Sequence, residues 1–150
     1  MNRREALLST GAMAVSASLG AIACGAQNAV AQGAAAAPPA AQGGGLIDAA
    51  FDCQKKGEAC ADHCTRMLVG GDTSMAECFV AVRDMLPATL ALGQLASNGS
   101  KHLRAAAQLA LEACEACQAA CAKHAQMHAV CRDCAESCAR TIAECKKIVG

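Results

Sequence analysis

Tryptophan and tyrosine are absent from the 150 residues, and phenylalanine occurs only at Phe51 and Phe79. A core without aromatic bulk has to be filled by Leu, Ala, Val, Met and Cys. Net charge is also absent, with 13 basic residues against 13 acidic ones. Nothing therefore points to nucleic acid or to an anionic membrane surface as a partner. No apolar run is long enough to hold a mature chain across a bilayer. What the sequence has in excess is cysteine. Twelve of them normally signal either a disulfide scaffold or a metal protein.

The chain opens Met1-Asn2-Arg3-Arg4-Glu5, followed by a weakly apolar run to about Ala23 and the small-residue site Ala29-Val30-Ala31. Residues 1–31 are expected to be a signal peptide, and Arg3-Arg4 resembles a twin-arginine export signal. Export of that type places the mature chain in the periplasm or outside the cell. Cys24 is expected to leave with the leader, because Ala21 stands where a lipoprotein cleavage box usually has leucine. Residues 32–45, rich in Ala, Pro, Gly and Gln, cannot bury a core and are expected to form a flexible tether.

From residue 46 to 150 the pattern is helical. Leu46, Ala50, Cys53, Gly57, Cys60, Cys64 and Met67 follow alternating steps of four and three, the seam of a bundle helix. Gly70-Gly71 ends it. Ser74 and Glu77 predict a capping box opening a second helix with seam Met75, Cys78, Val82, Met85, Thr89, Leu92 and Ala96, widened by Phe79, Leu86 and Leu90. Pro87 is expected to kink or split that helix. Asn98-Gly99 marks a turn, with Ser100 as cap of a third helix. The third seam is Leu103, Ala107, Ala110, Cys114, Cys117, Cys121 and His124. After a break near Gln126–Ala129 the fourth is Cys131, Cys134, Cys138, Thr141, Cys145 and Ile148. Short connections between helices of similar length predict an all-α, antiparallel up-down-up-down four-helix bundle with a cysteine-lined core.

The order of the helices also predicts depths. Counting about 1.5 Å per residue from the end that carries the Gly70 and Gln126 loops, Cys64, Cys78, Cys121 and Cys134 share a tier at roughly 6–8 Å. Cys60, Cys117 and Cys138 share one at roughly 12–14 Å, with Cys114 just below, and Cys53 meets Cys145 at roughly 22–24 Å. The same end collects Met67, Met75, Met127, His124 and His128. His63 and His102 read as surface residues and Met85 as core filler.

Thiolate is the metal-binding form of cysteine, and soft sulfur ligands favour Cu(I), with zinc and iron–sulfur clusters as competitors. Zinc and cubane sites need four ligands converging on one point. Cysteines at steps of three and four on straight helices instead project side by side. They suit ions held by two sulfurs, or bridged in a chain by shared sulfurs, so several Cu(I) ions in a line fit best. A disulfide framework is favoured by export but opposed by an odd count of eleven after cleavage and by parallel Cβ directions on one helix. The expected ligands are Cys53, Cys60, Cys64, Cys78, Cys114, Cys117, Cys121, Cys131, Cys134, Cys138 and Cys145, with His124, His128, Met67 and Met75 as candidates at the mouth.

The chain resembles the copper storage protein family, cysteine-rich four-helix-bundle proteins of bacteria. The matching residues are Cys114, Cys117 and Cys121, the His124–His128 connection, and Cys131, Cys134, Cys138 and Cys145. Cys53, Cys60, Cys64 and Cys78 fit as well. The resemblance implies a lumen holding many Cu(I) ions, mostly on pairs of thiolates, and entry of copper at the histidine/methionine end. It further implies a homotetramer and an exported branch with twin-arginine signals. The expected function is thus non-enzymatic storage of multiple Cu(I) ions, with a copper enzyme or chaperone as a conceivable client. A disulfide-linked structural or thiol-redox module of the periplasm and a zinc reservoir remain as alternatives.

Overall fold

The computed structural model describes residues 44–150. The expected leader, Arg3-Arg4, Ala29-Val30-Ala31, Cys24 and all but the last two residues of the expected tether lie outside the described residues. Four helices follow one another: α1 (Gly44–Val69), α2 (Ala76–Ser97), α3 (Leu103–Ala122) and α4 (Ala129–Val149). Each packs against its neighbours in sequence, and α1 closes the ring against α4. This is the antiparallel bundle that the short connections imply.

The two turns after α1 and α2 are built alike. Asp72 N–H donates to the Met67 carbonyl and Gly71 N–H to that of Leu68. Ser100 and Gly99 repeat the arrangement on Leu95 and Ala96. Both are Schellman caps, and both need a left-handed residue, supplied by Gly71 (φ 92°) and Gly99 (φ 59°). Ion pairs tie the outer edges: Lys123 on α3 to Glu77 on α2, Lys146 on α4 to Glu115 on α3, and Arg140 on α4 to Asp52 on α1. At the far end the Arg104 guanidinium donates to the last carbonyls of α4, Ile148 and Val149.

Several local expectations change. The capping box does not form. Ser74 donates its hydroxyl and its N–H to Asp72, which caps a short 3₁₀ turn over Thr73–Met75, while Glu77 is taken by Lys123. Ser100 accepts the His102 N–H, one turn ahead of the first residue of α3. Pro87 does not split α2, which runs unbroken past it; the missing N–H sits on an outer face while both flanks of the helix are packed. Leu90 does not widen the seam but is 40% exposed.

The seams themselves hold. Of the residues assigned to them, all but Met67, Ala96, Leu103 and Ile148 at the helix ends and the flanking Phe79 and Leu90 are buried. With no large aromatic in the interior, Met75, Met85, Leu92 and Val82 are the largest fully buried side chains, and cysteine fills most of the remainder.

Candidate metal centre

All eleven cysteines of the described residues carry free thiols and are 0% exposed. Helical spacing brings them to one interior because each lies on its helix's inward seam. Between helices the sulfurs approach closely. Cys78 Sγ stands 3.3 Å from Cys121 Sγ, and Cys60 Sγ lies 3.8 Å from each of them. Cys117 is 3.9 Å from both Cys121 and Cys134. Cys53 is 3.7 Å from Cys138.

These contacts join into four three-sulfur groups whose members lie within 4.8 Å of one another: Cys60/Cys64/Cys78, Cys60/Cys121/Cys134, Cys117/Cys134/Cys138 and Cys53/Cys114/Cys138. Cys60, Cys134 and Cys138 each belong to two, so the groups form a continuous column. With a metal–thiolate bond of about 2.3 Å, sulfurs around a three-coordinate ion stand about 4 Å apart and those around a two-coordinate ion about 4.6 Å apart. The thiols already have that spacing.

The depths differ from expectation on one helix. Cys60 joins Cys78 and Cys121 rather than Cys117 and Cys138, and Cys53 joins Cys114 and Cys138 rather than Cys145. α1 therefore stands about one turn, roughly 5.4 Å, nearer the mouth than equal helix ends would place it. The 3₁₀ turn tucks Met75 fully into the core. Cys145 stays buried below the column, outside the four groups.

Hydrogen bonding among the thiols sorts their protons. Cys53 is pulled down to about 4 by its bonds with Cys114 and Cys138, against the effect of burial. Cys138 is pushed up, foremost by its bond with Cys114. Cys134 is likewise pulled down, first by Cys117, while Cys60 is pushed up, first by Cys121, and Cys121, first by Cys117. Burial first, and then the charges of neighbouring groups, push Cys64 up to about 12 and Cys145 up to about 11.

At the mouth, His124 is buried and His128 half-buried. The His124 carbonyl accepts from Met127 and His128 N–H, folding the connection into a tight turn. His63 reaches this turn from α1. Its ring centroid is 4.7 Å from that of His128, which is 6.4 Å from that of His124. His63 Nε2 and His124 Nδ1 are buried with no hydrogen-bond partner among the described residues. A buried polar atom left without one costs about 1–3 kcal/mol, so two at the same end of the bundle call for a partner. His63 was thus misjudged as a surface residue. Its position, one residue before a seam cysteine and within two turns of the helix end, was the available signal. His102 is exposed, as expected, at the opposite end. Met67 is half-buried against the core and Met75 fully buried, but neither takes a thiol hydrogen bond among the described residues. Met127 is 72% exposed. The thioether that does meet a thiol is that of Met85.

Residues 40–150 match the family model described as copper storage protein. No curated protein matches the chain. Among solved structures, the copper storage protein Ccsp from Streptomyces lividans, loaded with 10 copper equivalents, is 28% identical. The similarity covers 75% of this chain and 92% of that one, with a TM-score of 0.64.

Proposed function

This chain belongs to the copper storage protein family, and we propose that it stores several copper ions as Cu(I) on the thiolates of its core. The observation that carries this reading is the set of eleven fully buried free thiols, nine of which join into overlapping three-sulfur groups. Such groups offer soft ligands in sets of two or three, which Cu(I) accepts and a four-coordinate zinc site does not. Cys53, Cys60, Cys64, Cys78, Cys114, Cys117, Cys121, Cys131, Cys134, Cys138 and Cys145 hold the ions. The protein acts as a store, with no catalytic step.

Copper enters at the end where His63, His124 and His128 gather. The orphaned nitrogens of His63 and His124 support that route, and Met67 and Met75 lie beside it in sequence. Ions then pass inward by exchange from sulfur to sulfur, each new bond displacing a proton, so loading releases acid and weakens at low pH. The dry interior keeps oxidants from the thiolates. Arg3-Arg4 and Ala29-Val30-Ala31 support export by a twin-arginine route to the periplasm. Val80, Leu90 and Leu109, apolar and exposed on α2 and α3, support assembly into a homotetramer, which would cover them.

Anaerobic titration of the reduced protein with Cu(I) against a competing chelator tests the reading, with metal identity read by mass spectrometry. Uptake of many ions per chain is expected, and saturation at one or two would overturn it. A thiol-redox module is the second reading, favoured by the 3.3 Å approach of Cys78 to Cys121. Counting free thiols in copper-free protein taken from the periplasm separates the two, because a redox module would have few.

A further inference from the structure

The sulfur column does not end in thiols. Beside the Cys53/Cys114/Cys138 group, Met85 of α2 presents its thioether to α1. The Cys53 thiol donates to Met85 Sδ at 3.4 Å, closer than the 3.7 Å between Cys53 and Cys138. Met85 is fully buried. The Thr89 hydroxyl lies 3.5 Å from the same sulfur while bonding the Met85 and Leu86 carbonyls at 3.1 Å. A methionine used only to fill space meets carbon on all sides; this sulfur meets a thiol and a hydroxyl.

The place is also shaped for it. Gly57 faces Met85 from α1, and a Cβ there would stand 2.6 Å from Met85 Cε. Glycine inside a helix costs about 0.5–1 kcal/mol relative to alanine. Here that cost leaves room for the methionine to lie against Cys53.

Taking the core as a Cu(I) store, the inference deepens that reading at its lower end. We propose that Met85 is a copper ligand, forming with Cys53, and with Cys114 or Cys138 at their present distances, a mixed thioether–thiolate site. Thioether sulfur is a soft ligand suited to Cu(I), and it is neutral. Three thiolates on one monovalent ion leave two negative charges in a dry interior, where uncompensated charge is costly. Exchanging one thiolate for Met85 leaves one, and pairing Cys53 with Met85 alone leaves none. Neutral ligation matters most far from the mouth, where water cannot screen the charge. The site also needs one proton fewer displaced than an all-thiolate site of the same size.

The test is X-ray absorption at the copper and selenium edges of the full chain labelled with selenomethionine and loaded anaerobically with Cu(I), beside the Met85→Leu variant. Leucine keeps the apolar volume and lacks the donor; if it lowers helicity, Met85→Ile serves as the same comparison. Selenium–copper scattering is expected in the parent and reduced in the variant, together with the loss of one copper equivalent at saturation against a chelator. A folded variant with the same copper number and undiminished selenium–copper scattering overturns the proposal while leaving the store intact. A parent chain that takes up only one or two ions overturns the store, and the ligand assignment with it.

Discussion

At the scale of single residues, the chemistry is set by how many sulfurs each cysteine shares. Cys134 belongs to two of the three-sulfur groups and Cys145 to none. Cys134→Ser is therefore expected to lower copper capacity by more than one ion per chain, and Cys145→Ser by one at most, both read by chelator competition. Equal losses would mean that the groups are not the binding units. Protonation gives a second prediction. Cys145 and Cys64 are held above the ordinary thiol value of 9.0, at about 11 and about 12, chiefly by burial. The protonated thiol is favoured in the fold, so their contribution to stability is whole below pH 9 and is lost as pH rises through 11–12. Copper-free protein should show a lower urea midpoint at pH 11 than at pH 8. Copper-loaded protein, whose thiols have already lost their protons, should show a smaller fall. The eleven buried cysteines were legible in the sequence because spacing alone puts them on one face of each helix. Met85 and His63 were not, since what distinguishes them is a neighbour on another helix.

At the scale of the helix, two kinds of glycine make opposite demands. Gly71 and Gly99 have open space where a side chain would project but left-handed backbone. Gly99→Ala should cost about 1–2 kcal/mol of stability, measured by urea unfolding, without changing copper capacity. Gly57 is helical, and alanine there gains about 0.5–1 kcal/mol in propensity but collides with Met85 Cε and Leu86 Cδ2, at 2.6 and 2.9 Å. Overpacking of that kind costs about 1–3 kcal/mol, so Gly57→Ala is expected to be net destabilising and to lower copper capacity as well. The seams, the turns and the helix count were readable because period and turn chemistry are local. The one-turn advance of α1 was not, because it rests on packing between helices distant in sequence, and neither was the cap of the turn after α1. Both Asp72 and Ser74 can accept an N–H, and Asp72 is the one that does. Leu90 was misplaced because α2 is apolar on more than one face, so periodicity there marks no single inner side.

At the scale of the molecule, a core made of thiols gives one structure two tasks. The groups that fill the interior in the absence of aromatic side chains are the groups that take the metal. Loading should therefore stabilise the fold, because the folded chain gathers ligands that the unfolded chain leaves scattered. The outer face of α2 and α3 exposes Val80, Leu90 and Leu109, the surface proposed for assembly. Leu109→Glu, at a site 57% exposed, is expected to lower the oligomer size in light scattering while leaving copper per chain unchanged. The central claim is that copper lies along the bundle axis on shared cysteine sulfurs. A crystal structure of the anaerobically loaded protein, with anomalous data at the copper edge, tests it most directly. The account predicts a line of copper ions through the interior, each within bonding distance of two or three of the sulfurs from Cys64 down to Cys53. Copper confined to His63, His124 and His128, or cysteines joined in disulfides around an empty core, would contradict it.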